Sequence, residues 1–185
     1  MINSKEAAAA LSDINDMVAR VRQSRIYDQA SQIAIVSGAL VFAGNIATFI
    51  APGYAVFIWP AVNALNAVAV VVISLIQGPK AAMGTLDFRV LAAFLLFFAF
   101  GLLCSKVLGH FGARELGTFW PIYFMLFYCI AGLWFGRVFL ALGLSITALT
   151  LVGYFFVTGA AFLIWMAIAN GGGLIVSGLW MRWGE

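Results

Sequence analysis

Six continuous apolar runs cover most of the chain, and their residues do not alternate between apolar and polar. Each run has 17 to 24 residues, close to the ~20 that a helix needs to cross about 30 Å of hydrocarbon. A membrane-spanning strand would instead alternate at every second residue. The sequence therefore predicts an all-α, polytopic membrane protein with six spans: Ile33–Ala51, Tyr54–Gln77, Val90–Val107, Phe119–Phe135, Val138–Val157 and Ala160–Met181.

The low charge content points to the same class. The chain is 64% hydrophobic and only 9% charged, whereas a soluble domain has about 25% charged residues. These few charges cannot cover a surface that faces water, which argues against a soluble enzyme and a disordered protein. The formal net charge of +3 comes from scattered residues, so we expect membrane lipid and no nucleic acid as a partner.

The basic residues predict the orientation of the spans. If the N-terminus is cytoplasmic, Lys106 and Arg114 fall outside, and the other eight of the ten Lys and Arg residues fall inside. Cytoplasmic loops carry such an excess, so we expect a cytoplasmic (inner) membrane protein with both termini in the cytoplasm. The first apolar run begins only at Ile33, too late for a signal peptide, and we expect the N-terminal tail to be retained.

The residues before the first run predict a helix outside the membrane, over 4–28. Asn3 followed by Glu6 has the spacing of a capping box. We divide the chain into a cytoplasmic amphipathic helix within residues 1–32 and a six-helix transmembrane domain in residues 33–185. One face of the helix carries a heptad-like stripe with spacings of 4, 3, 4 and 3 residues: Ala7, Leu11, Ile14, Val18 and Val21.

Three uses of this stripe remain open. It could bind a partner or a second copy, pack on the protein's own cytoplasmic loops, or lie on the membrane surface. The absence of bulky aromatic residues and the acidic early half weaken the membrane-surface interpretation. The candidate partner-binding residues are Leu11, Ile14, Val18 and Val21.

The even-numbered spans resemble one another near their beginnings. Trp59-Pro60, Trp120-Pro121 and Trp165-Met166 occupy similar positions. One interpretation is three tandem helical hairpins produced by duplication. The alternative is that interfacial tryptophan and first-turn proline recur in membrane helices for local reasons.

The polar residues within the spans are mostly neutral, and asparagines stand out among them. Asn63 and Asn66 share one helix face, and Asn170 precedes three glycines where we expect a bend or the close approach of another helix. The three asparagines could line a small polar cavity, or they could form hydrogen bonds between spans. Small residues spaced by four predict close helix packing: Ala39, Ala43 and Ala47 on span one, and Ala169, Gly173 and Ser177 on span six.

The sequence contains no recognisable catalytic, metal or cofactor site. His110 lies in a predicted outer loop without a second histidine nearby. Cys104 and Cys129 lie in apolar runs without a C-x-x-C partner. The central parts of all six spans lack Asp, Glu, Lys, Arg and His, which removes the usual apparatus of acid–base catalysis and of proton coupling.

These patterns favour a non-catalytic accessory, scaffold or regulatory protein. It would bind partners laterally and through its N-terminal helix, as a homo-oligomer or within a larger membrane-protein complex. The alternative is a small transporter or channel for a neutral or apolar solute, which six spans, a repeat and a glycine-broken last span would fit.

Overall fold

The computed structural model describes residues 4–77, 88–107 and 111–183, which lie in helices and in the short turns between them. This confirms the all-α class. A 3₁₀ turn, Pro52–Tyr54, follows the first helix, and a π-helical segment, Ala167–Gly172, interrupts the last span. The α-helices are α1 Ser4–Ile50, α2 Ala55–Gln77, α3 Phe88–Val107, α4 Ala113–Phe135, α5 Arg137–Phe156, α6 Ala161–Met166 and α7 Gly173–Trp183.

Several of these helices are long and apolar enough to cross a membrane, as a multi-pass membrane protein requires. The third predicted span falls in α3, where Leu95–Val107 is a shorter apolar segment within the described residues. That span stays a prediction. The described residues contain five full-length candidates: Ser24–Ile50, Pro52–Ile76, Ala113–Phe135, Arg137–Phe156 and Ala161–Trp183, which we call the last span.

Helix α1 runs without a break through the predicted boundary between an N-terminal helix and a first span, and that division of the chain stays a prediction. It is one uninterrupted helix of 47 residues, about 70 Å long at ~1.5 Å per residue. The physical reason is that neither glycine nor proline occurs before Gly38, so nothing in the backbone ends the helix near residue 28. Residues 4–23 therefore continue the axis of the apolar segment for roughly 30 Å.

Two glycines with positive φ make the tight connections later in the chain. Gly136 alone separates α4 from α5 and has φ of 129°. Gly159 has φ of 64° and lies in the turn between α5 and α6. Residues with a side chain rarely adopt these conformations, so glycine at these positions lets each pair of helices fold back at once.

The helices follow one another as neighbours in the order α2, α1, last span, α5, α4, α3. The last span is therefore held between α1 and α5. The close pairing of α4 with α5 joins the predicted second and third hairpins, and the threefold repeat stays an interpretation. Two ends of the bundle are useful landmarks: Arg114 contacts the end of α5, and Tyr27 donates a hydrogen bond to the carbonyl of Phe135 at the opposite end.

The contact between α1 and the last span brings the two backbones together. A Cβ atom added to Gly38 would lie 2.7 Å from the carbonyl oxygen of Gly171. Nearer the Tyr27 end, the Ser31 hydroxyl donates a 2.7 Å hydrogen bond to the carbonyl of Gly178. Small side chains permit such an approach, which supplies packing and hydrogen bonds where lipid provides no hydrophobic drive.

The small residues that make this contact are only partly those with the predicted spacing of four. Ala39 and Ala43 are exposed, whereas Ala34 is fully buried. The packing face of α1 is therefore rotated away from the predicted stripe. The predicted close approach at the glycine run is confirmed at Gly171, where an added Cβ would lie 2.7 Å from the backbone of Phe42.

We expect Gly171→Ala to destabilise the protein by about 1–3 kcal/mol, because the new methyl group must displace the α1 backbone. Gly172→Ala is the matched control, since a Cβ there meets no atom within 4 Å. Thermal unfolding in detergent measures both. Equal melting temperatures for the two variants would contradict the close contact.

Candidate functional site

A buried pair of polar side chains joins the last span to α5. Thr150 is completely buried and Asn170 is 3% exposed. The Thr150 hydroxyl lies 2.7 Å from the carbonyl oxygen of Ile146 in its own helix and 3.1 Å from Oδ1 of Asn170. The amide nitrogen of Asn170 lies 3.4 Å from the sulfur of Met166.

The hydrogen count of this pair limits what it can do. A hydroxyl has one proton, so Thr150 donates to one of its two acceptors at a time. If the Asn170 amide turns over, its nitrogen can donate to Thr150 while Thr150 donates to Ile146. Both arrangements use neutral groups, so the pair can hold two helices together but cannot carry a net proton.

Of the other two predicted asparagines, only Asn66 lies at a helix interface within the described residues. Asn66 accepts a 2.7 Å hydrogen bond from Ser37, which joins α2 to α1. Asn63 is exposed on α2. The structure therefore places Asn66 and Asn170 in separate interhelical contacts, and it does not bring Asn63, Asn66 and Asn170 into one hydrogen-bonded group.

We expect Thr150→Val to lower the free energy of unfolding by about 1–2 kcal/mol, because it keeps the shape of the side chain but removes the hydrogen bond to Asn170. Thr147→Val is the matched control, since the Thr147 hydroxyl donates within α5, to Gly143. Thermal unfolding in detergent distinguishes them. A loss of stability as large in the Thr147 variant would argue against the importance of the interhelical bond.

Arg114 closes the end of α5. Its Nη2 donates to the carbonyl oxygens of Tyr154 and Val157, and the guanidinium carbon lies 4.9 Å from the ring centroid of Phe162. The last carbonyls of a helix lack partners within it and carry the negative end of its dipole. A cation at this point therefore stabilises α5 and fixes its end against α6.

This role of Arg114 was not predicted, because Arg114 precedes the predicted fourth span, which begins at Phe119. Helix α4 begins at Ala113, six residues before the predicted span at Phe119. Thr118 stabilises this first part of α4, since its hydroxyl donates a 2.9 Å hydrogen bond to the carbonyl of Arg114. The apolar run alone could not reveal this first turn, although a basic residue beside a predicted membrane boundary was a usable signal.

We expect Arg114→Gln to cost about 1–2 kcal/mol of unfolding free energy, because glutamine loses the charge-assisted bonds to the α5 carbonyls. Lys106→Gln is the control, since it removes an exposed cation at the end of α3. Chemical unfolding monitored by tryptophan fluorescence measures the difference. Equal effects from the two variants would show that only the overall charge matters.

The candidate partner-binding stripe lies on α1 before its apolar segment. Leu11 is 63%, Ile14 54% and Val21 55% exposed. Met17, beside the stripe, is 61% exposed. The Val18 side chain is not among those that the structure describes. No described part of the chain thus covers Leu11, Ile14 or Val21, although they are as apolar as residues that normally lie in a core.

The described residues contain no group of three or more His, Cys, Asp or Glu side chains that could hold a metal ion. Cys104 and Cys129 are free and partly buried. His110 lies outside the described residues. Among the side chains that the structure describes, each buried polar atom has a hydrogen-bond partner.

No protein-family model, curated protein or solved structure matches this chain. Its function must therefore be inferred from the exposed stripe, the interhelical contacts and the charges described above.

Proposed function

We propose that this protein is a non-catalytic accessory, scaffold or regulatory protein of the cytoplasmic (inner) membrane, with both termini in the cytoplasm. Its six-span body anchors the molecule and contacts partners laterally, and the beginning of α1 binds a cytoplasmic partner. The excess of basic residues on the proposed cytoplasmic side supports this orientation. The stripe Leu11, Ile14, Val18 and Val21 is the proposed binding surface.

The observation that carries the proposal is the continuity of α1. Because residues 4–23 continue the helix of the apolar segment without a break, the stripe is held on a stiff extension roughly 30 Å long. A helix that binds the membrane surface lies in the interface plane, which would require a bend between the stripe and Ser24. The unbroken helix therefore favours a partner in the cytoplasm over the lipid surface.

Exposure of the stripe gives a second reason. Leu11, Ile14 and Val21 each leave more than half of their surface uncovered by the described residues. Burying an aliphatic side chain of this size yields roughly 1.5–3 kcal/mol. Burial of the three together would supply a substantial part of the free energy of association with a helix or groove of matching shape.

The interior supports positioning rather than transport. The buried polar groups Asn170 and Thr150 pair with each other, and Asn66 pairs with Ser37. A solute path would need groups in these spans that are free to bind the solute. We therefore keep the transporter or channel as the less supported alternative.

We expect replacement of Leu11, Ile14 and Val21 together with Asp to abolish partner capture while the membrane body still inserts, because charges on the stripe oppose its burial. Ser12→Asp, Ala19→Asp and Gln23→Asp, on the opposite face by helical periodicity, form the matched control with the same added charge. Purification in mild detergent followed by mass spectrometry measures the co-purifying proteins. Identical partner sets for the two triple variants would overturn the proposal.

A second comparison separates a protein partner from lipid. Replacing Arg20, Arg22 and Arg25 with Gln should weaken binding to anionic vesicles by about 1 kcal/mol per residue if the helix serves the membrane surface. We expect partner capture to survive this change, because the proposed contact is apolar. Partner loss in the arginine variant but not in the stripe variant would favour the lipid surface.

A further inference from the structure

Among the five full-length candidate spans of the described residues, the one in helix α2 is the least covered by the rest of the protein. Only 6% of the residues in its most apolar window are buried. Its packed side faces α1, where Val62 is buried and Asn66 bonds to Ser37. The rest of the helix surface faces hydrocarbon unless another molecule covers it.

Asn63 makes this exposure costly. It is exposed and is the twelfth of the 25 residues in Pro52–Ile76, roughly 16–20 Å from the two ends of that segment. Its short side chain cannot reach water from such a depth. Among the contacts of the described residues the Asn63 amide has no hydrogen bond, and an unpaired amide in hydrocarbon is unfavourable by several kcal/mol in transfer experiments.

The neighbours of Asn63 on the same side of α2 permit close packing. They are spaced as in a heptad, with steps of 4, 3, 4 and 3 residues, and all are small or β-branched: Val56, Pro60, Asn63, Ala67 and Val70. A single asparagine in such a seam is the arrangement that fixes register and oligomeric state in helix pairs. We call these five residues the α2 seam.

We propose that a second copy of this chain packs against the α2 seam, with the two Asn63 amides hydrogen-bonded to each other. In the proposed function the membrane-spanning body contacts partners laterally. The dimer rests on that proposal for its role, and it names a second copy as one such partner. It does not depend on the N-terminal stripe.

The membrane itself favours a second copy over another occupant. Two copies inserted in the same direction are related by a two-fold axis along the membrane normal. Each Asn63 then meets the same residue at the same depth, and each amide can both donate to and accept from the other. A partner of different sequence would need its own amide or hydroxyl at this one level.

The dimer leaves the N-terminal stripes free. The α2 seam lies to one side of the face that packs on α1, and close helix axes are about 8–10 Å apart. The two α1 helices would therefore stand on the order of 20 Å from each other. A dimer formed through α2 can present two stripes to other proteins.

Cysteine cross-linking in membranes tests the seam directly. In a background with Cys104→Ala and Cys129→Ala, the Ala67→Cys variant should form disulfide-linked dimers on oxidation, because the seam brings this position near its copy. Leu65→Cys is the matched control, since Leu65 is also exposed and lies at a similar depth on another side of α2. Equal cross-linking at the two positions, or none at position 67, would overturn the proposal.

The role of the amide is tested on the full-length protein by single-molecule photobleaching in liposomes of defined lipid composition. We expect Asn63→Leu to raise the dimer dissociation constant about tenfold, without lowering the melting temperature, because the exposed Asn63 side chain makes no hydrogen bond to the described residues of its own chain. Asn63→Gln should restore dimers. Asn66→Leu should lower the melting temperature, since it breaks the bond to Ser37, but should leave the dimers intact.

Unchanged dimerisation of Asn63→Leu would contradict packing of a second copy on the α2 seam through Asn63. The triple Asp variant of Leu11, Ile14 and Val21 separates it from the proposed function. That variant should dimerise normally in the same liposomes. If its dimers are lost while those of Asn63→Leu persist, the second copy binds the stripe and not α2.

Discussion

The close approach of α1 and the last span is the contact on which the other helix positions depend. In lipid, apolar surface gains little from leaving the solvent, so association relies on shape and on internal hydrogen bonds. Gly38 and Gly171 allow the two backbones to meet, and Ser31 adds a bond to Gly178. Because α2 packs on the far side of α1 and α5 packs on the far side of the last span, a shift at this contact would move both neighbours.

The π-helical segment contacts two neighbouring helices, α5 through Asn170 and α1 through Gly171. Asn170 turns toward Thr150 of α5, while Gly171, the next residue, lies against Phe42 of α1. Adjacent residues of a helix point in clearly different directions around its axis, so Asn170 and Gly171 suit two neighbours on different sides. Such π segments often mark functional sites. Here every bond of the segment's polar side chain stays within the last span and α5, which points to a structural role.

Apolar length predicted the five long apolar helices, because lipid thickness fixes the length that a span needs. Asn170 and its glycines were likewise recognisable as a packing site. The continuity of α1 was not predicted, because the change from polar to apolar composition near Ile33 indicates where a span begins and does not show whether the helix continues through it. The spacing of small residues also could not predict whether α1 packs against the last span through the side that carries Ala39 or the side that carries Gly38. Both sides are small, and which of them packs depends on Gly171 of a helix more than a hundred residues later.

Asparagines in membrane helices are alike in sequence and differ in their surroundings. Asn66 and Asn170 are bonded to neighbouring helices, so each has a hydrogen-bond partner inside the monomer. Asn63 lies three residues before Asn66, at a different angle around the α2 axis, and does not bond to α1. The three-residue spacing suggested that Asn63 and Asn66 share a cavity. In the structure it places Asn66 against α1 and leaves Asn63 facing outward. A polar group that faces lipid at mid-membrane depth is more readily explained by a neighbour than by the lipid, and this is the physical basis for treating α2 as an interface.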